Sequence, residues 1–159
     1  PVVELPQERV VPKGTLPKLP FTDITESAGI TFVHEGGATG DKLLPETMGS
    51  GCAFFDFNND GHVDLLFVNS MTWPWDAAPK TPPTLALYQN DGTGKFTDVT
   101  EPTGLNLTQY GMGVAIADYD NDGWQDVFIS SLGANRLLHN AQGKFVDVTQ
   151  TAGVAGGEG

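Results

Sequence analysis

The chain repeats itself, and this internal repeat restricts the possible fold more than any other feature of the sequence. Residues 49–68 and 111–130 align without a gap at an offset of 62 residues, which places Asp56 in register with Asp118. Each copy begins with Gly-x-Gly, continues as an apolar run and then contains an acidic loop. Self-similarity at a fixed offset is typical of architectures in which small supersecondary units follow one another.

A second motif, Phe-x-Asp-Ile/Val-Thr, occurs three times, at 21–25, 96–100 and 145–149. The glycine-containing segments before the last two copies predict hairpin turns. Apolar runs such as 63–67 and 127–129 are rich in β-branched and aromatic residues and end in polar breakers, which predicts strands. No window has a sustained helical period, although 101–107 could hold a short turn. We therefore predict an all-β chain whose units are antiparallel sheets of about four strands, as in β-propeller blades.

The sequence divides into two parts. Residues 1–20 contain five prolines without periodicity and predict an extended arm or linker, or an element that lies along a neighbouring subunit. Residues 21–159 contain two to two and a half repeat units. Because a closed propeller needs roughly 4 to 8 blades, we expect the chain to be an incomplete part of a larger propeller.

Composition excludes several classes of protein. The net charge of -12, from 20 acidic and 8 basic residues, disfavours a non-specific nucleic-acid or anionic-membrane surface. A hydrophobic content of 39% argues against a disordered acidic tail, and no apolar run is long enough to span a membrane. The single cysteine, Cys52, excludes an intrachain disulfide. Its apolar neighbours predict a buried, inert thiol.

Seven carboxylates lie in two nine-residue segments that contain no lysine or arginine. We call residues 56–64 the first acidic loop and residues 118–126 the second. Oxygen-bearing side chains occupy positions 1, 3, 5 and 9 of each loop, with glycine at position 6, and Ca²⁺ prefers about 6 to 8 oxygen ligands. The predicted ligands are Asp56, Asn58, Asp60 and Asp64 in the first loop and Asp118, Asp120, Asp122 and Asp126 in the second. We expect the main-chain carbonyls of His62 and Trp124, at position 7, to complete the two sites.

Other interpretations of the acidic loops differ in their ligands. An EF-hand requires a bidentate glutamate at position 12, where these loops have Phe67 and Ile129. Mg²⁺ would demand strict octahedral geometry and retained water, and solvent-exposed Asx turns would bind no ion at all. We predict about two Ca²⁺ ions per chain, with metal-free loops destabilised by repulsion between the carboxylates.

The loop pattern, preceded by Gly-x-Gly and an apolar strand, resembles the FG-GAP/VCBS repeat, which builds calcium-loaded propellers as in integrin α-chains. The Phe-x-Asp-Val/Ile-Thr motif and the segments 30–35 and 44–51 resemble more narrowly the bacterial relatives of cartilage acidic protein. The resemblance covers residues 21–154 and implies a secreted, periplasmic or cell-surface protein. It also implies Ca²⁺ ligation by the ten residues named above. Asn58 departs from the aspartate of many repeats, which would weaken the first site slightly.

Catalytic motifs are sparse. His34 and Glu35, with Glu46, could form an acid–base or metal pair or an ordinary polar patch. No nucleophile elbow, phosphate-binding loop or His-Glu-x-x-His motif occurs. We therefore do not predict an enzyme, although regions outside this chain could supply a catalytic site.

The loop from Ser70 to Thr84 is the best candidate for an interaction surface. It contains Trp73, Trp75 and several prolines, and tryptophan is enriched at binding hot spots. The alternative is that both indoles fold back over the edge of their own sheet.

The sequence favours a calcium-binding, extracytoplasmic propeller module that serves protein–protein interaction or scaffolding. Its partners would be other protein subunits or the remaining blades of the same propeller. One alternative is an accessory subunit of a larger envelope or membrane complex, in which residues 1–20 and the tryptophan loop contact neighbours. Another is a fragment of a propeller enzyme whose catalytic residues lie outside this chain.

Overall fold

A computed structural model describes residues 20–77 and 79–157. The predicted proline-rich arm lies outside the described residues except for Pro20, so that arm and its boundary stay a prediction. The described residues form eight strands and four one-turn helices. Over the described residues the chain is therefore all-β apart from these single turns, as its sequence predicts.

The strands form two four-stranded antiparallel sheets, and each sheet follows the order of the chain. The first sheet contains β1 (Cys52–Phe55), β2 (Asp64–Phe67), β3 (Ala86–Asn90) and β4 (Phe96–Asp98). The second contains β5 (Gly111–Ala117), β6 (Asp126–Ser131), β7 (Arg136–Asn140) and β8 (Phe145–Asp147). Each acidic loop connects the first two strands of its sheet. This arrangement matches the predicted four-stranded unit and is consistent with propeller blades.

The main hydrophobic cluster joins the two sheets. It contains Phe55, Phe57, Leu66, Val68, Leu85, Leu87, Leu105, Val127, Ile129, Leu138 and Phe145, which come from both units. Because side chains alternate between the two faces of a strand, Leu66 and Leu87 face this cluster while their neighbours Leu65 and Tyr88 face the opposite side. Burial of each large side chain contributes about 1.5–3 kcal/mol, so the two sheets stabilise each other.

The second face of the first sheet is covered by the segment that precedes it. Leu65, Ala86 and Tyr88 form a smaller buried cluster against Ile30, Phe32, Phe67 and Phe96. The ring of Phe32 stacks on that of Phe67, with 4.6 Å between centroids. The hydroxyl of Tyr88 accepts a hydrogen bond from the backbone N–H of Thr31. This face is therefore covered over β2 and β3, which explains the nearly continuous apolar sequence of these two strands.

The predicted burial of Cys52 is wrong, because the structure places its side chain at the surface. Along β1, Cys52 and Phe54 are exposed whereas Phe55 is buried. The apolar run 52–55 suggested burial on both faces. Strand alternation instead turns every second residue of this run towards solvent.

Each copy of the Phe-x-Asp motif leads into a one-turn helix. The helices are α1 (Thr25–Ala28), α3 (Thr100–Thr103) and α4 (Thr149–Ala152), and a further helix, α2 (Leu44–Met48), precedes β1. The sequence predicted a short turn only at 101–107, since four residues are too few to produce a helical period. In the described part of the chain, no helix has the length and apolar character needed to cross a membrane.

Candidate metal centre

The two acidic loops have the same backbone conformation. Asn59 and Asn121, at position 4, have φ angles of 57° and 60°. Gly61 and Gly123, at position 6, have φ angles of 85° and 91°. Asparagine tolerates this left-handed region and glycine adopts it at no steric cost. Position 6 therefore permits the bend that turns alternate side chains inwards.

The first and fifth residues of each loop organise its backbone. In the first loop, Asp56 accepts hydrogen bonds from the N–H groups of Asp60 and Gly61, at 3.1 and 2.8 Å. In the second loop, Asp118 accepts the corresponding bonds from Asp122 and Gly123, at 3.1 and 3.0 Å. The aspartate at position 5 accepts a hydrogen bond from the backbone N–H of position 7. Asp60 accepts it from His62 at 2.9 Å, and Asp122 accepts it from Trp124 at 2.8 Å.

The ninth residue of each loop is buried, unlike the other acidic residues. Asp64 and Asp126 expose 0% and 1% of their surface. Asp64 accepts the N–H of Phe57 at 3.1 Å and that of Asn90 at 2.8 Å. Asp126 accepts those of Tyr119 at 3.0 Å and Asn140 at 2.7 Å. Each buried aspartate therefore fastens the start of its loop to the third strand of its own sheet.

Burial and hydrogen bonding shift the pKa values of two aspartates of the first loop in opposite directions. Burial raises the pKa of Asp64, and the nearby carboxylates of Asp60 and Asp56 add to this effect. The pKa of Asp60 is lowered, chiefly by the hydrogen bond that the Asn58 side-chain amide donates and then by that of the His62 backbone N–H. One loop thus holds a buried carboxylate with a raised pKa beside an exposed one with a lowered pKa, and a cation would reduce the repulsion between them.

The donor chemistry of the second loop fits a cation. Carboxylate oxygens of Asp118, Asp120 and Asp122 lie within 4.8 Å of one another. A carboxylate oxygen of Asp120, a carboxylate oxygen of Asp126 and a ring nitrogen of His139 also lie within 4.8 Å of one another. His139 Nδ1 lies 3.2 Å from Asp126 Oδ1 and 3.3 Å from Asp120 Oδ2. Clustered carboxylate oxygens are the ligands that Ca²⁺ prefers.

The first loop has amide groups where the second has ionisable ones. Asn58 replaces the third carboxylate, and its Nδ2 donates to Asp60 Oδ2 at 2.8 Å. Gln89 on β3 occupies the strand position of His139 on β7, and its Nε2 lies 3.4 Å from the same oxygen of Asp60. Asp60 of the first loop therefore receives one amide donor from its own loop and one from β3.

The two loops contact each other. Asn140 donates to the carbonyl oxygens of Phe57 and Gln125, at 2.8 and 3.0 Å. Asn59 donates to the carbonyl oxygen of Gly123 at 3.1 Å. Asn140 is itself fully buried. The loops therefore lie side by side at one end of the two sheets: Asn59 of the first loop contacts the backbone of the second, and Asn140 of β7 joins the backbones of both.

The structure places the other candidate residues as follows. Trp73 is 7% exposed, stacks on Trp75 with 5.0 Å between centroids, and donates from Nε1 to Glu46 at 2.9 Å. Trp75 is 65% exposed. The tryptophan loop thus buries one indole against Tyr110 and Glu46 and presents the other to solvent. His34 hydrogen-bonds to Ser50.

Comparison with known proteins supports the repeat assignment. The family model described as FG-GAP-like repeat matches residues 56–129, which include both acidic loops. This match confirms the resemblance to FG-GAP repeats inferred from the loop pattern.

A similar protein is cartilage acidic protein 1 of Xenopus tropicalis, which is 40% identical over 62 residues. The match covers 36% of this chain and 10% of that protein. The chain therefore spans about a tenth of the length of this relative.

Sequence reasoning missed the contributions of the third strands. His139 and Asn140, like Gln89 and Asn90, reach the acidic loops from β7 and β3. The two pairs occupy the same register against the outer strands, since Asn90 pairs with Phe96 and Asn140 with Phe145. The shared asparagine before each hairpin turn was the available signal. Nothing in the sequence of these two turns indicates that the backbone N–H groups of Asn90 and Asn140 bind the buried aspartates of the acidic loops.

Proposed function

We propose that the chain is a calcium-binding FG-GAP-like module that presents a fixed surface to other proteins. The observation that supports this most directly is the duplication of one loop geometry in two sheets, with carboxylates at matching positions. The ten residues proposed to bind the ions are Asp56, Asn58, Asp60, His62, Asp64, Asp118, Asp120, Asp122, Trp124 and Asp126. His62 and Trp124 would contribute main-chain carbonyl oxygens.

Calcium is the cation that the donor set supports best. The side chains of the two loops offer carboxylate and amide oxygens, which suit a hard cation with flexible geometry. The role of the ion would be structural. It would neutralise carboxylates that otherwise repel one another and hold each loop against its third strand.

The interaction role follows from the repeat class and from one exposed aromatic residue. FG-GAP-like repeats suggest a propeller-like module for protein interaction. We propose Trp75 as one contact, because its indole is exposed while the ring of Trp73 behind it is fixed by Glu46. Catalysis forms no part of this proposal. An extracytoplasmic location would suit it, since extracellular calcium modules function at high calcium concentrations.

A second candidate is an accessory subunit of a larger envelope or membrane complex. The exposed apolar residues favour it, since Phe21, Val33 and Leu44 are 89%, 82% and 74% exposed. A fragment of a propeller enzyme is the third, and its catalytic residues would lie outside this chain.

Equilibrium dialysis of the metal-free chain against Ca²⁺ tests the calcium proposal. We expect about two ions bound per chain. The matched control carries Asp60→Asn and Asp122→Asn, which remove one exposed carboxylate from each loop without changing the shape of the side chain. Equal calcium concentrations on both sides of the membrane for the unaltered chain would contradict the proposal. The interaction proposal is tested separately by Trp75→Ala, which should weaken partner capture and leave calcium binding unchanged.

A further inference from the structure

A crevice of about 280 Å³ lies between the tryptophan loop and one end of the second sheet. The loop contributes Met71, Trp73 and Trp75 to its walls. The sheet contributes Tyr110, which precedes β5, and Leu132, which follows β6. The backbone N–H of Leu132 donates to the carbonyl oxygen of Tyr110 at 2.9 Å and so joins these two positions. Because the second acidic loop connects the other ends of β5 and β6, the crevice and that loop lie at opposite ends of the sheet.

Three aromatic rings contribute to the walls of the crevice. The ring of Trp73 stacks on that of Trp75, with 5.0 Å between centroids and 5° between planes, and its centroid lies 5.0 Å from that of Tyr110. Trp73 and Tyr110 are buried, whereas Trp75 is largely exposed. Since Trp73 covers one face of the Trp75 indole, the opposite face is open to a ligand. The face of an indole ring attracts cations, because the π-system makes it electrostatically negative.

Two carboxylates lie next to these rings. Glu46 Oε1 accepts the indole N–H of Trp73 at 2.9 Å. Glu35 Oε1 accepts the backbone N–H of Gly37 at 2.8 Å, and a Cβ built on Gly37 would lie 3.2 Å from the ring of Tyr110. Burial raises the pKa of Tyr110, and the negative charges of Glu46 and Glu35 raise it further. The charge of both carboxylates therefore reaches the wall of the crevice.

No basic side chain balances these two carboxylates in the described part of the chain. Of the described residues that line the crevice, none is charged. Neither Glu35 nor Glu46 forms an ion pair with a lysine or arginine within residues 20–77 and 79–157. The whole chain has a net charge of -12. A ligand that complements apolar walls in a negative field carries a positive charge on an apolar surface.

The walls favour a cation that has no N–H groups. A primary ammonium or a guanidinium group loses hydrogen bonds to water when it is buried, and mainly apolar walls cannot replace them. A quaternary ammonium group has no such bonds to lose, and the face of tryptophan is its best aromatic partner. Ligand pockets usually have volumes of about 300–1,000 Å³. A crevice of 280 Å³ therefore suits a ligand at the small end of this range.

We propose that this crevice binds a small, free quaternary ammonium compound, with its methyl groups against Trp75 and its charge stabilised by Glu46 and Glu35. The hydrogen bond from Trp73 to Glu46 fixes the ring on which Trp75 stacks, so the site is formed before the ligand binds. Trp75 is also the proposed contact for a protein partner. The ligand site nevertheless depends neither on that partner nor on calcium.

Titration of the full chain with choline, followed through the indole N–H signals in NMR spectra, tests the proposal. We expect the signals of Trp73 and Trp75 to shift, while that of Trp124, in the second acidic loop, stays in place. Dimethylbutanol, the uncharged analogue of choline with carbon in place of nitrogen, should bind about tenfold more weakly. Equal affinity for the two compounds would overturn the proposal, because the crevice would then recognise only an apolar shape.

Two substitutions separate the contribution of the ring from that of the charge. Trp75→Leu keeps an apolar side chain but removes the indole, and it should weaken choline binding about tenfold. Glu46→Gln keeps an oxygen acceptor for Trp73 but removes the charge, so choline should bind several-fold more weakly and dimethylbutanol equally well. The matched control Glu26→Gln, at an exposed carboxylate of α1, should change neither affinity. Choline binding that is insensitive to both Trp75→Leu and Glu46→Gln would overturn the proposal.

Two further measurements distinguish this proposal from the calcium and protein-contact proposals. The double variant Asp60→Asn/Asp122→Asn in EGTA should bind choline with unchanged affinity, because the acidic loops lie at the other end of the sheets. A peptide that contains trimethyllysine carries the same cationic group on a protein. Binding of this peptide without any response to choline would overturn the assignment to a free ligand and would support a protein contact at Trp75 instead.

Discussion

The two acidic loops share one backbone but differ in how they hold their acidic side chains together. In the first loop, the amides of Asn58 and Gln89 donate to Asp60. In the second, Asp120 replaces the asparagine, and His139 approaches Asp120 and Asp126. The first loop therefore relieves its repulsion by neutral hydrogen bonding, whereas the second carries one more carboxylate and a titratable ring. The repeated backbone geometry is thus retained while the balance of charge around it changes.

Calcium should produce the largest effect, because it acts on both loops. At a free concentration 100 times the Kd, one bound ion stabilises the folded chain by about 2.7 kcal/mol, and two by about 5 kcal/mol. We expect the melting temperature to rise by about 10–20 °C between EGTA and saturating Ca²⁺. The double variant D60N/D122N should lose this increment while melting in EGTA at least as high as the unaltered chain. A double variant that kept the full increment would show that the ion binds elsewhere.

The buried aspartates should matter even without an ion. Asp64→Ala and Asp126→Ala each leave two backbone N–H groups without their carboxylate acceptor, and we expect each to cost about 3 kcal/mol of unfolding free energy. Denaturant unfolding in EGTA measures this loss. The control is Asp91→Ala in the exposed hairpin turn 90–95, which should cost under about 1 kcal/mol. If Asp64→Ala and Asp126→Ala lowered the unfolding free energy as little as Asp91→Ala, the proposed role of these aspartates in holding the loops to the third strands would be contradicted.

Exchanging the third-strand residues sharpens the comparison between the loops. Imidazole nitrogen suits transition metals better than amide oxygen does. We therefore expect Zn²⁺, which imidazole nitrogen suits, to compete with Ca²⁺ more strongly at the second loop than at the first. His139→Gln should remove this preference several-fold, and Gln89→His should confer it on the first loop. Competition by Zn²⁺ that is equal at both loops and insensitive to either substitution would show that the ring takes no part in binding.

The smallest effect is expected from the third position of the first loop. Asn58→Asp adds a carboxylate and removes the amide donor to Asp60, so we expect about 0.5–1 kcal/mol lower stability in EGTA. The calcium affinity of the first loop should rise a few-fold. The reverse change, Asp120→Asn, should have the opposite signs in the second loop. Denaturant unfolding with and without Ca²⁺ measures both.

Much of the fold was predictable from the sequence because strand alternation and the repeat act locally. The offset of 62 residues and the triple Phe-x-Asp motif predicted two similar units, and the structure contains two four-stranded sheets. The burial of Cys52 was mispredicted because a four-residue apolar run does not reveal which of its faces is covered. Phe54, in the same run, is 68% exposed.

The candidate site was predictable in its loops but not in its surroundings. Positions 1, 3, 5 and 9 were identifiable because a metal-binding loop spaces its own ligands along the chain. The approach of His139 depends on strand register between β6 and β7, which no local pattern encodes. The contact of Asn140 with Phe57 joins two sheets and depends on their packing.

The central claim, that the two loops are two calcium sites of one design, is tested most directly by calorimetric titration of the metal-free chain. We predict two binding events in the unaltered chain, one in Asp60→Asn and one in Asp122→Asn, with the remaining site unchanged apart from coupling through the contacts between the loops. Two undiminished binding events in either single variant, or none in the unaltered chain, would contradict the account.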